Sequence, residues 1–305
     1  MIKFVIYHAH IPKLGGIESA IYNLVKLLDP NKYKVTLCYV DNQTDKSLFK
    51  YAEYCDIKRI RPFEEIRCDV CLIASNFPLP YQIKAKKCLQ WVHADYEQYK
   101  LDLVRNKGVV NYVAVSNHIA KIANKLFGIE PVVIYNIIDP DFKLSSKKGL
   151  KFVTNSRISP EKGFERMKLM AQGMQDLGIE YQWRVYGDNV VAPDYYRNVV
   201  KSFQKTNVQF LGFRDDIREG LEWADYLVQL SDFEGCPYSV LEALKVKVPC
   251  ILTEFPSAYE LIKEGENGYI VPFDMNYDFT KFKEVPKNVK LLTKGEIKQW
   301  ENLLD

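Results

Sequence analysis

The residues with the clearest chemical potential lie in Phe233-Glu234-Gly235-Cys236-Pro237-Tyr238-Ser239-Val240-Leu241-Glu242-Ala243-Leu244. Two glutamates stand eight positions apart there, one before an apolar-periodic helix and one within it. Gly235 permits a tight turn, and Pro237 presets the helical φ of a first turn. A helix starting at this point presents unsatisfied backbone N–H groups and the positive end of its dipole, which together favour an anion. Gly235, Cys236, Pro237, Tyr238, Ser239 and Val240 are therefore candidate contacts to a diphosphate. Glu234 and Glu242 beside such a cradle make electrostatic sense only if they hold the neutral part of the ligand. An ionised carboxylate accepts strong hydrogen bonds from paired hydroxyls, so sugar and ribose hydroxyls fit. The stretch reads as a nucleotide-sugar site. Ser239-x-x-Glu242 is also the pattern of a capping box, in which Glu242 serves only the helix start.

Other candidates are spread along the chain. Arg157 and Lys162 are placed at a strand-to-helix junction from which two cations can reach two phosphates, unless they are ordinary surface charges. Gly15 and Gly16 leave room for a close approach of backbone to a diphosphate or acceptor, and equally suit a simple helix-start turn. Glu18 either orients that loop or matches the helix dipole. His93 follows the buried run Leu89-Gln90-Trp91-Val92, where a lone histidine is either a satisfied core group or one that projects into a ligand site. Metal is not expected. Asp139-Pro140-Asp141 has an Asp-x-Asp form suited to a divalent cation, but Asp-Pro is ordinary turn chemistry. His8-Ala9-His10 has too few neighbouring ligands for zinc. Cys68-Asp69-Val70-Cys71 opens a strand-like run and has no partner pair, so it reads as core.

Positioning these residues requires alternating strands and helices. Candidate strands are Lys3–His8, Lys34–Tyr39, Val70–Ala74, Cys88–Val92, Tyr112–Val115 and Val132–Ile134, then Phe152–Asn155, Trp183–Tyr186, Val208–Leu211, Tyr226–Gln229 and Cys250–Leu252. Helices are expected over Ile17–Leu28, Asn117–Phe127 (capped by Ser116), Phe164–Gln175, Pro193–Gln204, Ser239–Lys245 and Lys294–Leu304. Such alternation implies parallel sheets covered on both faces. The pattern restarts after the polar stretch 139–149, read as a linker. Expected domains are 1–145 for the acceptor, 150–285 for the nucleotide sugar, and a C-terminal helical segment 286–305 that packs back on the first domain. Doubly wound domains bind ligands beyond the C-terminal ends of their strands, which predicts a site in a cleft between the two.

Composition sets the outer bounds. The chain has 305 residues, 47% hydrophobic and 27% charged, as expected of a packed soluble protein. No apolar run approaches the roughly 18 residues that span a bilayer. The opening Met1-Ile2-Lys3-Phe4-Val5-Ile6-Tyr7-His8 reads as a buried strand and not as a signal segment. Seven cysteines, an odd count, suit a reducing cytoplasm. Residues 1–148 hold 22 Lys+Arg against 15 Asp+Glu, and the remainder 20 against 24. A basic first half suits an anionic acceptor or membrane surface, with Lys84, Lys86 and Lys87 as the candidate cluster, or is simply a solvated surface. No basic stripe with interleaved aromatics is present, which disfavours nucleic acid.

Six motifs in one order resemble the GT-B retaining glycosyltransferases often called family 4, the glycosyl transferases group 1. They are Leu14-Gly15-Gly16-Ile17-Glu18, His93, Val115-Ser116 with Asn136-Ile137-Ile138-Asp139, Arg157-Ile158-Ser159-Pro160-Glu161-Lys162-Gly163, Tyr186-Gly187-Asp188, and the Glu234/Glu242 pair. The chain departs from the pattern in having Ile137 where glycine is usual, and Cys236, Pro237 and Tyr238 where many relatives carry glycine and phenylalanine. The resemblance implies an α/β fold, GT-B, with two doubly wound Rossmann-like domains facing across a cleft. It implies His93 and Glu234 as catalytic, and Gly15, Gly16, Arg157, Lys162, Gly187, the 235–240 loop and Glu242 as donor-binding, with Glu242 on the ribose. It also implies a retaining, same-face transfer without a protein adduct, no metal and no cofactor beyond a nucleotide-sugar donor, with a uridine nucleotide as the first expectation. The acceptor is expected to be a glycan or lipid-linked sugar in surface polysaccharide synthesis, reached from the cytoplasm with peripheral contact to an anionic membrane. The other readings are an epimerase or phosphorylase of the same fold, and a catalytically silent sugar-binding partner of a transferase.

Overall fold

The computed structural model describes residues 1–10, 15–40, 50–138, 150–188, 192–214, 216–293 and 295–305. The chain divides into two units, Met1–Ile138 with Lys294–Asp305, and Asp139–Thr293. The expected linker at 139–149, and with it Asp139-Pro140-Asp141, lies outside the described residues, as does Leu14.

Unit 1 is built from β1 (Ile2–Tyr7), α1 (Gly16–Leu27), β2 (Tyr33–Tyr39), β3 (Asp56–Arg59), β4 (Ile66–Ile73), β5 (Ile83–Val92), α2 (Tyr96–Tyr99), β6 (Val109–Ala114), α3 (Asn117–Phe127) and β7 (Val132–Val133). The strands form one parallel sheet in the order β3-β2-β1-β4-β5-β6-β7. Phe4 to Tyr7 of β1 are all buried because the strand lies between β2 and β4 and is covered on both faces. Helix α3 starts where the sequence predicts: Ser116 Oγ accepts from Ile119 N at 3.2 Å, and Gly128 ends the helix at φ 63°. Cys68 and Cys71 are buried in β4.

Unit 2 continues with β8 (Lys151–Asn155), a 3-10 turn at Pro160–Lys162, α4 (Phe164–Asp176), β9 (Gln182–Tyr186), α5 (Pro193–Ser202), β10 (Val208–Phe210), α6 (Arg218–Trp223), β11 (Tyr226–Gln229), α7 (Tyr238–Lys245), β12 (Cys250–Thr253), α8 (Ala258–Leu261), β13 (Gly268–Val271) and a 3-10 turn at Phe279–Lys283. Its sheet is also parallel, in the order β10-β9-β8-β11-β12-β13. The core is aromatic. Phe152 sits 5.3 Å from the Trp183 ring and 5.9 Å from Tyr226, and its buried surroundings include Phe164, Met167 and Phe282.

The last helix, α9 (Ile297–Leu304), belongs to unit 1. Trp300 packs edge-on against Trp91 at 4.6 Å, Lys87 Nζ donates to the Leu303 carbonyl at 2.6 Å, and Asp305 takes Lys32 Nζ and the Tyr33 hydroxyl. Lys86 pairs with Asp69 at 2.7 Å. Two of the three lysines expected to form an anion-facing cluster are thus engaged inside their own unit, and the cluster offers less free charge than its spacing implies.

In each sheet the winding reverses beside the first strand, between β1 and β4 in unit 1 and between β8 and β11 in unit 2. Chain leaving neighbouring strands there diverges, which opens a crevice at their C-terminal ends. Gly15, Gly16, Lys162 and Glu234 follow the strands at these two places, while His93 and Gly187 follow the adjoining strands β5 and β9.

Candidate functional site

In unit 2 the segment leaving β11 is drawn against the turn leaving β8. Gly163 makes this possible: its φ is 70°, and a Cβ would lie 1.8 Å from the Leu230 carbonyl oxygen. No side chain fits at such a separation, so glycine is needed for both conformation and space. Asp232 N donates to the Glu161 carbonyl at 2.8 Å, and Arg166 Nε to the Leu230 carbonyl at 2.9 Å, which fixes the approach. The result brings Lys162 to Glu234. Their side chains are 13% and 12% exposed, with Nζ 2.7 Å from Oε1.

Glu234 Oε1 also accepts from Ser231 Oγ at 2.8 Å and from Gln229 Nε2. Ser239 Oγ donates to Gln229 Oε1 at 2.6 Å, which fixes the orientation of the Gln229 amide. The Glu234 carbonyl accepts from Ser257 Oγ at 2.7 Å. The carboxylate is therefore held from several sides, with all three of its described side-chain partners on one oxygen. A largely buried ion pair satisfied in this way is a fixed acceptor, suited to gripping a hydroxyl without reorganising.

Helix α7 begins at Tyr238, one residue before the expected start, with Pro237 as the cap residue and no side-chain cap bond. The capping-box alternative fails because Ser239 is turned to Gln229 instead. Gly235 and Cys236 form the bend that enters the helix. The Cys236, Tyr238 and Val240 side chains are buried, which leaves backbone N–H groups as the chief polar surface that they offer. Glu242, one turn further along α7, pairs with no cation among the described residues. Burial, reinforced by the charge of Asp216, pushes its carboxyl up to about 7.

The other basic candidate does not join Lys162. Arg157 is 71% exposed and reaches Glu161 at 3.7 Å, while Glu161 itself accepts from Ser159 Oγ. Sequence spacing suggests that the two cations act together, yet the tight turn at Pro160–Lys162 sends them to different partners. Gly187 follows β9, where a Cβ would sit 1.9 Å from the Ser156 carbonyl oxygen. Its absent side chain lets the exits of β8 and β9 lie together.

In unit 1, His8 directly follows β1 and is 6% exposed. Its Nε2 lies 2.8 Å from Oε1 of the equally buried Glu18, and its Nδ1 is buried without a partner. The glycine loop serves this pair: a Cβ on Gly15 would meet Glu18 Oε2 at 2.6 Å, whereas one on Gly16 would meet nothing within 4 Å. Gly15 makes room for the carboxylate of its own helix. The Tyr51 hydroxyl donates to the Glu18 carbonyl at 2.9 Å, and Ala9 N donates to Ser75 Oγ across the β1/β4 crevice at 3.4 Å.

His93 leaves β5 at the same edge of the sheet. Its ring lies 4.4 Å from Trp91, and its buried Nε2 has no partner. Burial, with the neighbouring His8, pushes its pKa down to about 3, so the ring is neutral across the physiological range.

Gln229, Ser231 and Ser257, and the pairing of His8 with Glu18, are what the sequence does not single out. A polar Gln229-x-Ser231 at the end of a fully apolar strand is the available signal, since a buried strand seldom ends on unpartnered amides. Ser257 and Asp216 give no local signal, because only the fold brings them near the site.

Two parallel-sheet, Rossmann-like α/β units of this kind are the GT-B fold of glycosyltransferase structures. The chain superposes on Anabaena HepE in complex with UDP-glucose with a TM-score of 0.76 at 14% identity, covering 100% of this chain and 98% of that one. It superposes on S. aureus TarM in complex with UDP and other ligands with a TM-score of 0.75 at 10% identity, covering 100% of both chains. At this identity the likeness establishes fold alone. At the sequence level, residues 138–281 match the family described as glycosyl transferases group 1, a stretch that contains Arg157, Lys162, Gly187, Glu234 and Glu242. N-acetyl-alpha-D-glucosaminyl L-malate synthase of Bacillus anthracis is 38% identical over 63 residues, 21% of this chain and 16% of that protein. EpsD of Bacillus subtilis, a protein named as a glycosyltransferase, is 33% identical over 85 residues, 28% of this chain and 22% of that protein.

Proposed function

We propose that the protein is a retaining glycosyltransferase that needs no metal. It moves a sugar from a nucleoside diphosphate donor, a UDP-sugar by preference, onto a glycan or lipid-linked acceptor in surface polysaccharide or glycoconjugate synthesis. It works in the cytoplasm, with peripheral contact to the inner face of the membrane. The observation that carries this reading is the convergence of Lys162, Gln229 and Ser231 on one oxygen of Glu234, beside the N-terminus of α7. An arriving donor meets a fixed carboxylate and an ammonium side by side: hydroxyls of the transferred sugar go to Glu234, and the diphosphate goes to Lys162 and the first-turn N–H groups of α7.

As the bond from the anomeric carbon to the diphosphate oxygen breaks, negative charge grows on the leaving group. Lys162 and the helix N-terminus stabilise it in place, with Arg157 free to swing in from solvent. On the same face, the acceptor oxygen forms the new bond and its proton passes to the departing phosphate oxygen, so configuration is retained without a protein adduct. Glu242 accepts from the ribose hydroxyls. His93, neutral and with an unused Nε2, hydrogen bonds to the transferred sugar. Support for the class comes from the group 1 match over residues 138–281, and HepE and TarM, which share the fold, bind UDP-glucose and UDP respectively.

The test is release of nucleoside diphosphate from a panel of nucleotide sugars with lipid and glycan acceptors. Release by the wild type, lost in Glu234→Gln and unaffected by EDTA, is the expected result, with the product anomer read by NMR. Release that stops in EDTA and returns with magnesium overturns the metal-free part. Absence of release across the panel overturns the transferase reading.

A further inference from the structure

The turn after β3 carries a residue out of keeping with its position. Arg61-Pro62-Phe63-Glu64 closes a tight turn, with Glu64 N donating to the Arg61 carbonyl at 3.3 Å. Proline at the second place with positive φ at the third is a turn that asks for glycine there. Phe63 occupies that third place at φ 67°. A bulky side chain in the left-handed region costs on the order of 1–3 kcal/mol and persists where something is gained from it. The gain is not packing, since Phe63 is 97% exposed.

Charge around the turn is uneven. Lys58 pairs with Glu64 at 2.7 Å and Arg67 with Glu65 at 2.5 Å, which spends both local acids. Arg59 and Arg61, both exposed, form no ion pair among the described residues. β3 is the edge strand, and Ile60 N donates to the Tyr39 carbonyl at 2.8 Å, so the turn leaves the same edge of the sheet as His8 and His93. Val40, at the end of the adjoining β2, is exposed beside it.

We propose that this turn is a membrane-docking hook: Phe63 enters the boundary between headgroups and acyl chains of an anionic bilayer, and Arg59 and Arg61 bind the lipid phosphates. A lone protruding ring suits a fluid surface that closes around it. A stable protein partner needs roughly 800 Å² of matched surface on each side, which one turn does not supply. The two arginines complement anionic headgroups, and their planar guanidinium groups match phosphate oxygens. This deepens the membrane contact in the proposed function by naming its surface. It reads out without turnover, so the two proposals fail separately.

The experiment is co-sedimentation of the full chain with phosphatidylcholine vesicles with and without phosphatidylglycerol, at low salt. Binding is expected only with the anionic lipid. Phe63→Ser weakens it about tenfold through lost apolar burial, and Arg59→Gln or Arg61→Gln about fivefold each. Lys84→Gln in β5 changes it little. Melting temperatures of these surface variants stay at the wild-type value, which separates loss of docking from loss of fold. The proposal is overturned by absence of binding to anionic vesicles, by binding that Phe63→Ser leaves intact, or by binding that soluble polyphosphate removes from wild type and Phe63→Ser equally. Self-association that disappears in Phe63→Ser without any vesicle binding assigns the turn to a second copy and overturns it as well.

Discussion

Unit 1 buries a base and unit 2 buries an acid, and the same force sets both. Desolvation disfavours whichever form is charged, so His93 falls to about 3 while Glu242 rises to about 7. The consequences for stability run in opposite directions. Above its unfolded pKa of about 6.5, His93 is neutral folded and unfolded and imposes no cost. As pH falls below that value the unfolded chain takes a proton that the folded chain refuses, and stability is lost progressively towards pH 3. Glu242 does the reverse. Below about pH 4.5 it is protonated in both states, and as pH rises to about 7 the unfolded chain ionises first, so stability is lost with rising pH. Each unit also carries a buried pair of different kind. Lys162–Glu234 is an ion pair tied into neutral side chains, while His8–Glu18 is an imidazole–carboxylate contact with one ring nitrogen left over. Unit 2 has the equipment to stabilise charge, and unit 1 the equipment to present a neutral donor or acceptor.

The largest effect belongs to the Lys162–Glu234 pair. Glu234→Gln should lower turnover by roughly 10²–10³, the usual loss for one preorganised polar contact in a reacting site. It should also lower the melting temperature, because Lys162 loses its counter-charge. Glu234→Ala disturbs the fold more, since three donors lose their acceptor at once. Equal turnover in wild type and Glu234→Gln would falsify the assignment of charge handling to unit 2.

The next effect tests the buried base. His93→Gln should flatten the acid side of the stability curve, removing about 2 kcal/mol of pH-dependent loss between pH 6.5 and 5. Urea unfolding at several pH values measures it, and an unchanged slope means that His93 is open to water.

Glu242→Gln should act in the other direction by a similar or smaller amount, about 2 kcal/mol, abolishing the loss of stability between pH 5 and 7. Ribose hydroxyls favour the ionised carboxylate, so nucleoside diphosphate affinity in the wild type should strengthen as pH rises through about 7. Calorimetric titration at pH 6 and pH 8 decides this, and stronger binding at pH 6 contradicts it.

The smallest pair separates two adjacent glycines. Gly15→Ala should cost about 1–2 kcal/mol by pushing Glu18 away from His8. Gly16→Ala, at the first residue of α1 with open space around it, should be neutral or stabilising by up to about 1 kcal/mol. Equal costs for the two substitutions would remove the reason offered for Gly15.

Much of this was legible beforehand, where local chemistry speaks for itself. α3 was readable to the residue because Ser116 and Gly128 mark both ends. β11 was readable because the apolar run Tyr226-Leu227-Val228 suits a central parallel strand. β3 was not: Asp56-Ile57-Lys58-Arg59 carries three charges, which an edge strand tolerates and a periodicity rule rejects. β13 was not either, since Gly268-Tyr269-Ile270-Val271 opens on a glycine and lies at an edge, and the short helices α2, α6 and α8 are too brief for a helical period to show. Within the site, Glu234 and Glu242 could be named from spacing, and Lys162 and His93 from the family motifs that they resemble. The partners of Glu234 could not, because Ser257 lies 23 positions away and Lys162 lies 72.

The residue pattern alone determined two alternating α/β halves, a helix start after Pro237, and acids and bases in suitable order. These follow from short-range rules of periodicity, capping and turn chemistry, which need only neighbours in the chain. Tertiary structure decided which of those groups meet. It paired Lys162 and not Arg157 with Glu234, turned Ser239 from a cap into a support for Gln229, and gave Gly15 its purpose under Glu18. Those outcomes depend on which strands lie side by side and on how much water burial removes, and both are properties of the packed sheet as a whole.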